Sequence, residues 1–114
     1  MGRIQVWRTA DWQRVFDLHA HRSCIWSLDF NPSGTRLASA GGVRNNRFSG
    51  EFKIWDTATG EELLTVAAEK GPVNGVAFSP DGTRLATAGG DGSVKIWNGT
   101  PLAETPAYEP LSAD

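Results

Sequence analysis

The sequence lacks several features that common classes of protein require. It contains one cysteine, Cys24, so it cannot form a disulfide framework within the chain. No apolar run approaches the roughly 18 residues of a membrane-spanning helix, and no secretory signal precedes the first alternating segment. The net charge is only −2, which gives little reason to expect binding to nucleic acid. We therefore expect a cytoplasmic protein that contacts neither membranes nor nucleic acid.

Apolar residues at helical spacing are also missing from the chain. Short alternating runs separated by turn residues are present instead, and each run predicts a β-strand. Asn-Pro-Ser-Gly at residues 31–34 and Ser-Pro-Asp-Gly at residues 79–82 are typical turn sequences. The predicted fold class is all-β. The nine predicted strands are Arg3–Trp7, Gln13–Leu18, Ile25–Phe30, Arg36–Ala40, Glu51–Trp55, Glu62–Ala67, Val73–Phe78, Arg84–Ala88 and Ser93–Trp97.

The most informative feature of the sequence is an internal repeat. Residues 31–42 return at residues 79–90 with nine of twelve positions identical, at an offset of 48. Three short runs of alternating apolar and polar residues, which end in Trp7, Trp55 and Trp97, recur in step with this repeat. A unit of this size cannot bury its own apolar faces, so neighbouring units must stack against one another.

These repeats resemble the WD repeats of β-propellers, of a bacterial type. The segment from Phe78 to Trp97 carries the resemblance, and so does the segment from Phe30 to Asp56, which ends in the Trp-Asp pair that names the family. The resemblance implies blades of four antiparallel strands, lettered A to D from the axis to the rim. The implied organisation is outer strands of a preceding blade in residues 1–18, a complete blade in residues 19–67 with a B–C insertion at residues 43–50, a second blade of three strands in residues 68–98, and a proline-containing tail in residues 99–114.

About two and a half blades are too few to close a propeller, which needs about four to eight. The propeller is therefore incomplete unless the chain is oligomeric or part of a longer protein. The sequence favours a non-catalytic protein-interaction scaffold, whose partners are proteins, peptides and further propeller blades. The alternative is a self-assembling structural ring of identical chains. Residues 1–53 carry a net charge of +4 and residues 54–114 a net charge of −6, a split that favours head-to-tail contact.

The resemblance also implies a hydrogen-bonded tetrad in each blade, formed by a His before strand A, a Ser or Thr in strand B, an Asp in the B–C turn and the Trp of strand C. The matching residues are His21, Ser39 and Trp55 in the first repeat and Thr87, Asp91 and Trp97 in the second. The second repeat has Glu69 in place of the His. In the first repeat the Asp position falls at Val43, with Asn45 or Asn46 as stand-ins, so this set is expected to contribute less stability per residue.

The insertion is the best candidate for a binding surface. In this fold the D–A and B–C loops share one face, which is the face most used for partners. The candidate residues on that face are Arg22, Trp26, Arg44, Arg47, Phe48 and Asn74. Aromatic and Arg side chains are enriched at the centres of protein interfaces. The alternative is a solvated loop that tolerates the extra residues.

Catalysis and metal binding find little support in the sequence. His19, His21 and Cys24 carry side chains that suit zinc, but no fourth ligand stands at a regular spacing. A convergent acid, base or nucleophile is also missing, so we expect neither an enzyme nor a cofactor. Asp29 lies in the middle of an innermost strand, where its carboxylate needs a donor, and Ser27 and Arg36 are the nearest candidates along its hairpin.

Overall fold

The computed structural model describes residues 2–43, 50–67 and 71–98, together with the backbone of residues 109–110. Every regular element in these residues is a β-strand, which confirms the all-β prediction. The strands are β1 (Arg3–Arg8), β2 (Gln13–His19), β3 (Ile25–Phe30), β4 (Arg36–Gly41), β5 (Glu51–Asp56), β6 (Glu62–Ala67), β7 (Val73–Phe78), β8 (Arg84–Gly89), β9 (Val94–Asn98) and β10 (Glu109–Pro110).

The strands form three antiparallel sheets. A two-stranded sheet pairs β1 with β2, a four-stranded sheet has the order β3-β4-β5-β6, and a second four-stranded sheet has the order β10-β9-β8-β7. We call the two larger sheets the first and second blades. Each follows the chain from its inner to its outer strand, as the resemblance implies.

The second blade differs from the sequence prediction, which gave it three strands followed by a tail. The two-residue strand β10 pairs with the far end of β9, with Glu109 opposite Asn98 and Pro110 opposite Trp97. Proline is tolerated there because an edge strand need not donate a hydrogen bond to a further neighbour. Residues 99–108 of the predicted tail lie outside the described residues.

The repeated turn sequences fold in the same way in both blades. The amide of Gly34 donates to the carbonyl of Asn31, and the amide of Gly82 donates to the carbonyl of Ser79. Both glycines have φ near +75°, a conformation that residues with a Cβ adopt rarely. Asp81 accepts hydrogen bonds from the Ser79 hydroxyl and from the Thr83 amide and hydroxyl, which lower its pKa to about 2.

Two apolar clusters hold the sheets face to face. Between the two blades lies a cluster of seven buried residues, Ala38, Ala40, Phe52, Ile54, Val73, Val76 and Leu85. Trp97 joins it through an edge-on contact with the Phe52 ring, at 5.1 Å between centroids. A smaller cluster, Ile4, Ala20, Leu37 and Trp55, joins the β1–β2 sheet to the opposite face of the first blade. Each sheet therefore buries its apolar side chains against the next sheet, as expected for stacked repeats.

Two side chains of β3 also bond to the backbone of β7. Asp29 Oδ2 accepts the amide of Phe78 at 2.7 Å, and Ser27 Oγ accepts the amide of Val76 at 3.2 Å. The sequence suggested partners for Asp29 within its own hairpin, whereas its partner is 49 residues away. Because β7 is the innermost strand of its sheet, these two acceptors satisfy amides that no further strand of its own blade reaches.

Both ends of the stack expose apolar side chains. At one end a groove of about 410 Å³ runs between β1 and β3. Trp7, Leu28 and Phe30 line this groove and are 48%, 49% and 48% exposed. At the other end Val94, on β9, is 59% exposed. These surfaces correspond to the faces that an adjoining blade covers in a closed propeller.

Candidate functional site

A buried hydrogen-bonded network links strands β4 and β5 to the segment before β3. The Trp55 indole Nε1 lies 2.9 Å from Ser39 Oγ, and His21 Nε2 lies 2.8 Å from the same oxygen. Ser39 is fully buried and His21 is 6% exposed. The structure therefore brings together all three residues that the sequence assigned to the first tetrad.

The directions of these hydrogen bonds follow from the chemistry of the donors. An indole N–H can only donate, so Ser39 Oγ accepts from Trp55 and its own proton goes to His21 Nε2. His21 Nε2 is then the acceptor, and the ring carries its proton on Nδ1, which lies 2.9 Å from Glu51 Oε1. Burial lowers the pKa of His21 and outweighs the opposing effect of Glu51. His21 is thus a neutral imidazole held between a hydroxyl and a carboxylate.

Glu51 is the fourth member of this network, and the sequence analysis missed it. That analysis placed the acidic position at Val43, with Asn45 and Asn46 as stand-ins; both asparagines lie outside the described residues. Glu51 precedes Trp55 by four residues as Ser93 precedes Trp97, so Glu51 stands at the position of Ser93 and not at that of Asp91. A Glu side chain is long enough to reach the imidazole from the first residue of β5.

Within residues 71–98, the structure shows part of the same network in the second blade. Trp97 Nε1 donates to Thr87 Oγ1 at 2.9 Å, as in the first blade. Asp91 accepts the amide and the hydroxyl of Ser93 at 3.0 Å and 2.6 Å, and so fixes the turn between β8 and β9. Glu69, at the position of the His, lies outside the described residues.

The candidate binding residues in the described part of the chain lie at one rim of the stack. Trp26 and Asn74 are the second residues of β3 and β7, and both side chains are exposed. Arg22 is exposed just before β3. The Trp26 indole donates to the carbonyl of Gly42, from which the insertion leaves β4. Arg44, Arg47 and Phe48 lie outside the described residues.

The residues considered for metal binding do not converge. His19 and Cys24 are exposed, and His21 is already held by Ser39 and Glu51. Within residues 2–43, 50–67 and 71–98 no three residues of the metal-ligating types His, Cys, Asp and Glu are grouped. The same residues include no helix long and apolar enough to cross a membrane.

Comparisons with known proteins agree with the repeat pattern. A family model described as "WD domain, G-beta repeat" matches residues 12–56 and residues 60–98, which together make up most of the chain. Each match begins at an outer strand and ends at the tryptophan-bearing strand of the next sheet, so the first covers β2 to β5 and the second covers β6 to β9. A search of curated proteins found none that matches the sequence.

Proposed function

The chain belongs to the WD-repeat family, and from that premise we propose that it is a non-catalytic module that binds partner proteins or peptides at one rim. WD repeats generally serve as protein-interaction scaffolds. We define the insertion rim as Arg22, Trp26, Gly42 and Asn74, together with the insertion at residues 43–50. Partner proteins and peptides are proposed to contact this surface.

The observation that carries this proposal is the environment of Trp26. Its indole N–H is satisfied by the Gly42 carbonyl at 2.8 Å, while 37% of the residue is exposed. This hydrogen bond fixes the orientation of the ring, so a partner that covers the exposed part does so at little cost in side-chain entropy. Tryptophan is among the residues most enriched at the energetic centres of interfaces.

A second observation connects Trp26 with the neighbouring blade. A Cβ placed on Gly42 would lie 2.7 Å from the backbone of Pro72, which directly precedes β7. Gly42 therefore lies between Trp26 of the first blade and the segment that leads to Asn74 of the second. The rim is a continuous surface across the two blades, and a partner peptide is proposed to bridge them.

The test of this proposal compares two exposed tryptophans. Trp12 is 70% exposed in the turn between β1 and β2. The opposite end of β1 lies beside His21, since the amides of Ala20 and His21 donate to the carbonyl of Gly2. Trp12 is therefore at the rim opposite Trp26. Trp26→Ala should weaken binding of an isolated partner by roughly 30-fold or more, as for an interface hot spot, and Trp12→Ala should change it little. Equal effects of the two substitutions in a titration would refute the assignment of the rim.

Deleting Val43 to Ser49 tests the insertion itself. A Cβ placed on Gly42 would lie 3.1 Å from the Cα of Gly50, so the two ends of the loop are close together. One trans peptide, which holds consecutive Cα atoms ~3.8 Å apart, is therefore long enough to join them. The second blade makes the corresponding turn with six fewer residues than the first, so the deletion, which removes seven, leaves a turn one residue shorter than that of the second blade. We expect the variant to fold like the parent and to lose most of its affinity for the partner. Full affinity in a folded deletion variant would show that the insertion is passive.

A second candidate function is self-assembly into a ring of identical chains. The apolar groove beside Leu28 and Phe30 and the exposed Val94 lie at opposite ends of the stack. The two halves of the chain also carry opposite net charge. Light scattering after size exclusion tests this candidate: three or four chains per particle would support a ring, and a stable monomer would exclude it.

A further inference from the structure

Among the described residues, the edge of β1 that faces away from β2 has no partner strand. The equivalent strands of the two blades, β5 and β9, each pair with a neighbour on both sides. The consecutive residues 4–7 of β1 all line the groove described above, together with Leu28 and Phe30 of β3. Consecutive side chains of a strand point to opposite faces, so a groove that all four residues line lies at the edge of the strand. The groove therefore adjoins the edge at which a further strand can pair with β1.

The Trp7 indole N–H, which lies in this groove, has no hydrogen-bond acceptor within residues 2–43, 50–67 and 71–98. Trp7, Trp55 and Trp97 are equivalent residues of the three strands β1, β5 and β9. The indoles of Trp55 and Trp97 each donate to a hydroxyl on the adjacent inner strand, Ser39 Oγ and Thr87 Oγ1, at 2.9 Å. Since an indole N–H can only donate, a strand that carries a hydroxyl at the equivalent position would supply the acceptor that Trp7 lacks.

The two blades show which sequence fits beside such a tryptophan strand. In both, the adjacent strand reads Leu-Ala-(Ser or Thr)-Ala, at residues 37–40 of β4 and residues 85–88 of β8. The leucine lies opposite the tryptophan, and the hydroxyl residue lies opposite Lys53 in one blade and Lys95 in the other. The matching residue of β1 is Gln5. An antiparallel strand of this sequence, with its hydroxyl residue opposite Gln5, therefore repeats on β1 the register that both blades use.

The apolar wall of the groove suits the two alanines of this sequence. In the first blade the equivalent residues, Ala38 and Ala40, are fully buried in the cluster between the blades. The same face of β1 carries Ile4, which is buried against the first blade. The alanines of an added strand would thus lie on Leu28 and Phe30 and cover side chains that are about half exposed.

We propose that the edge of β1 binds an extended segment of a partner polypeptide, with the sequence Leu-Ala-(Ser or Thr)-Ala, as an added antiparallel strand. The hydroxyl accepts the Trp7 indole proton, the alanines cover the groove, and the backbone hydrogen bonds to β1 provide the affinity. A folded second copy of this chain does not offer its own two segments of this sequence, because β4 and β8 are already paired on both edges. The edge is separate from the insertion rim, so this proposal does not rest on the proposed function.

The experiment is a titration of the full chain with the capped hexapeptide Arg-Leu-Ala-Thr-Ala-Gly, observed by NMR after selective ¹⁵N labelling of tryptophan. The chain has five tryptophans, so five indole N–H signals are expected. The Trp7 signal should move to lower field and saturate, with a dissociation constant on the order of 0.1–1 mM for a peptide that is ordered only on binding. The Trp55 and Trp97 signals should not move, because both indoles already have acceptors. No response at Trp7, as when a second copy of the chain covers the groove, would overturn the proposal.

A matched peptide and a matched variant test the hydrogen bond to Trp7. Valine in place of the threonine keeps the shape of the peptide but removes the acceptor, and should weaken binding to the parent chain about three- to tenfold, as measured by fluorescence anisotropy of labelled peptides. Trp7→Phe has no indole N–H and should bind the two peptides equally. Unchanged Trp55 and Trp97 signals would show that this variant is folded. Equal affinities in the parent chain, or a preference for threonine that survives in Trp7→Phe, would refute the proposed contact.

Two further measurements test the groove and the pairing of strands. Leu28→Ser should weaken binding roughly fivefold or more because it removes apolar surface from the groove, whereas Val94→Ser, at the exposed opposite end of the stack, should not change it. A peptide of the same composition in scrambled order should not bind. Hydrogen exchange of backbone amides in β1 should slow when the peptide is added. Unchanged exchange, or equal binding of the scrambled peptide, would show apolar contact without strand addition and would overturn the proposal.

Discussion

Replacing Ser39 with alanine should destabilise the chain far more than the loss of one hydroxyl group suggests. The Ser39 oxygen accepts from the Trp55 indole and donates to His21 Nε2. The substitution removes both bonds and leaves a donor and an acceptor in a site where Trp55 is 6% exposed and the His21 side chain is fully buried. Each buried polar group that loses its partner costs about 1–3 kcal/mol.

Two such groups give an expected loss of roughly 2–4 kcal/mol in the free energy of unfolding, after allowance for partial rearrangement of the imidazole. Thr87→Val is the matched control, because it removes the equivalent hydroxyl from the second blade and leaves only the Trp97 indole without its partner. Trp97 is only partly buried, so the control should lose about 1 kcal/mol.

Urea unfolding of both variants at one protein concentration, followed by tryptophan fluorescence, measures the two losses. The expected order reverses the one that the sequence suggests, because Glu51 completes the network of the first blade. A loss for Ser39→Ala no greater than that for Thr87→Val would refute the reasoning. It would mean that water or a rearranged His21 satisfies both groups.

Three further predictions follow from other contacts. Burial lowers the pKa of His21, so as the pH falls the unfolded chain binds a proton at this residue before the folded chain does. The stability should therefore be full above about pH 6.5 and fall as the pH drops below that value. His21→Gln should lack this loss in thermal melts between pH 7 and pH 5. Asp29→Ala should cost about 1–3 kcal/mol and reduce the hydrogen-exchange protection of the Phe78 amide, whereas Asp11→Ala, which breaks an exposed ion pair with Arg8, should leave that protection unchanged. The isolated chain should be oligomeric or partly unfolded in dilute solution because both ends of the stack expose apolar surface, and a cooperative melt from a strictly monomeric sample would contradict this.

The sequence predicted the strands well because the signals that define them are local. All nine predicted strands are present, and their ends agree to within one residue. The alternation of apolar residues fixes the face of each strand, and the Pro- and Gly-containing turns fix its ends. β10 was not among the predicted strands because its two residues have no periodic pattern of their own. It exists through its pairing with β9, and such pairing is a long-range property.

The side-chain networks were harder to predict than the strands. His21, Ser39 and Trp55 were identified because the family pattern gives their spacing. Glu51 was missed because it stands at the position of Ser93 and not at that of Asp91, so counting forwards from Ser39, which gives Val43, and counting backwards from Trp55, which gives Ser49, both miss it. Asp29 was recognised as unusual, but its partner Phe78 is brought near only by the stacking of the blades. Contacts between repeats cannot be derived from the repeat sequence alone.

The bonds from β3 to β7 also limit how this chain can be lengthened by copying its own repeats. Ser27 and Asp29 bond to the amides of Val76 and Phe78, but the residues of β7 at the same positions are Gly75 and Ala77, which have no side-chain acceptor. A third repeat made by duplicating the second would therefore meet an inner strand that offers it no such bonds. The two repeats, despite their near-identical turn sequences, are not interchangeable modules. A designer who extends the array would have to install Ser and Asp at positions 75 and 77 before adding the next blade.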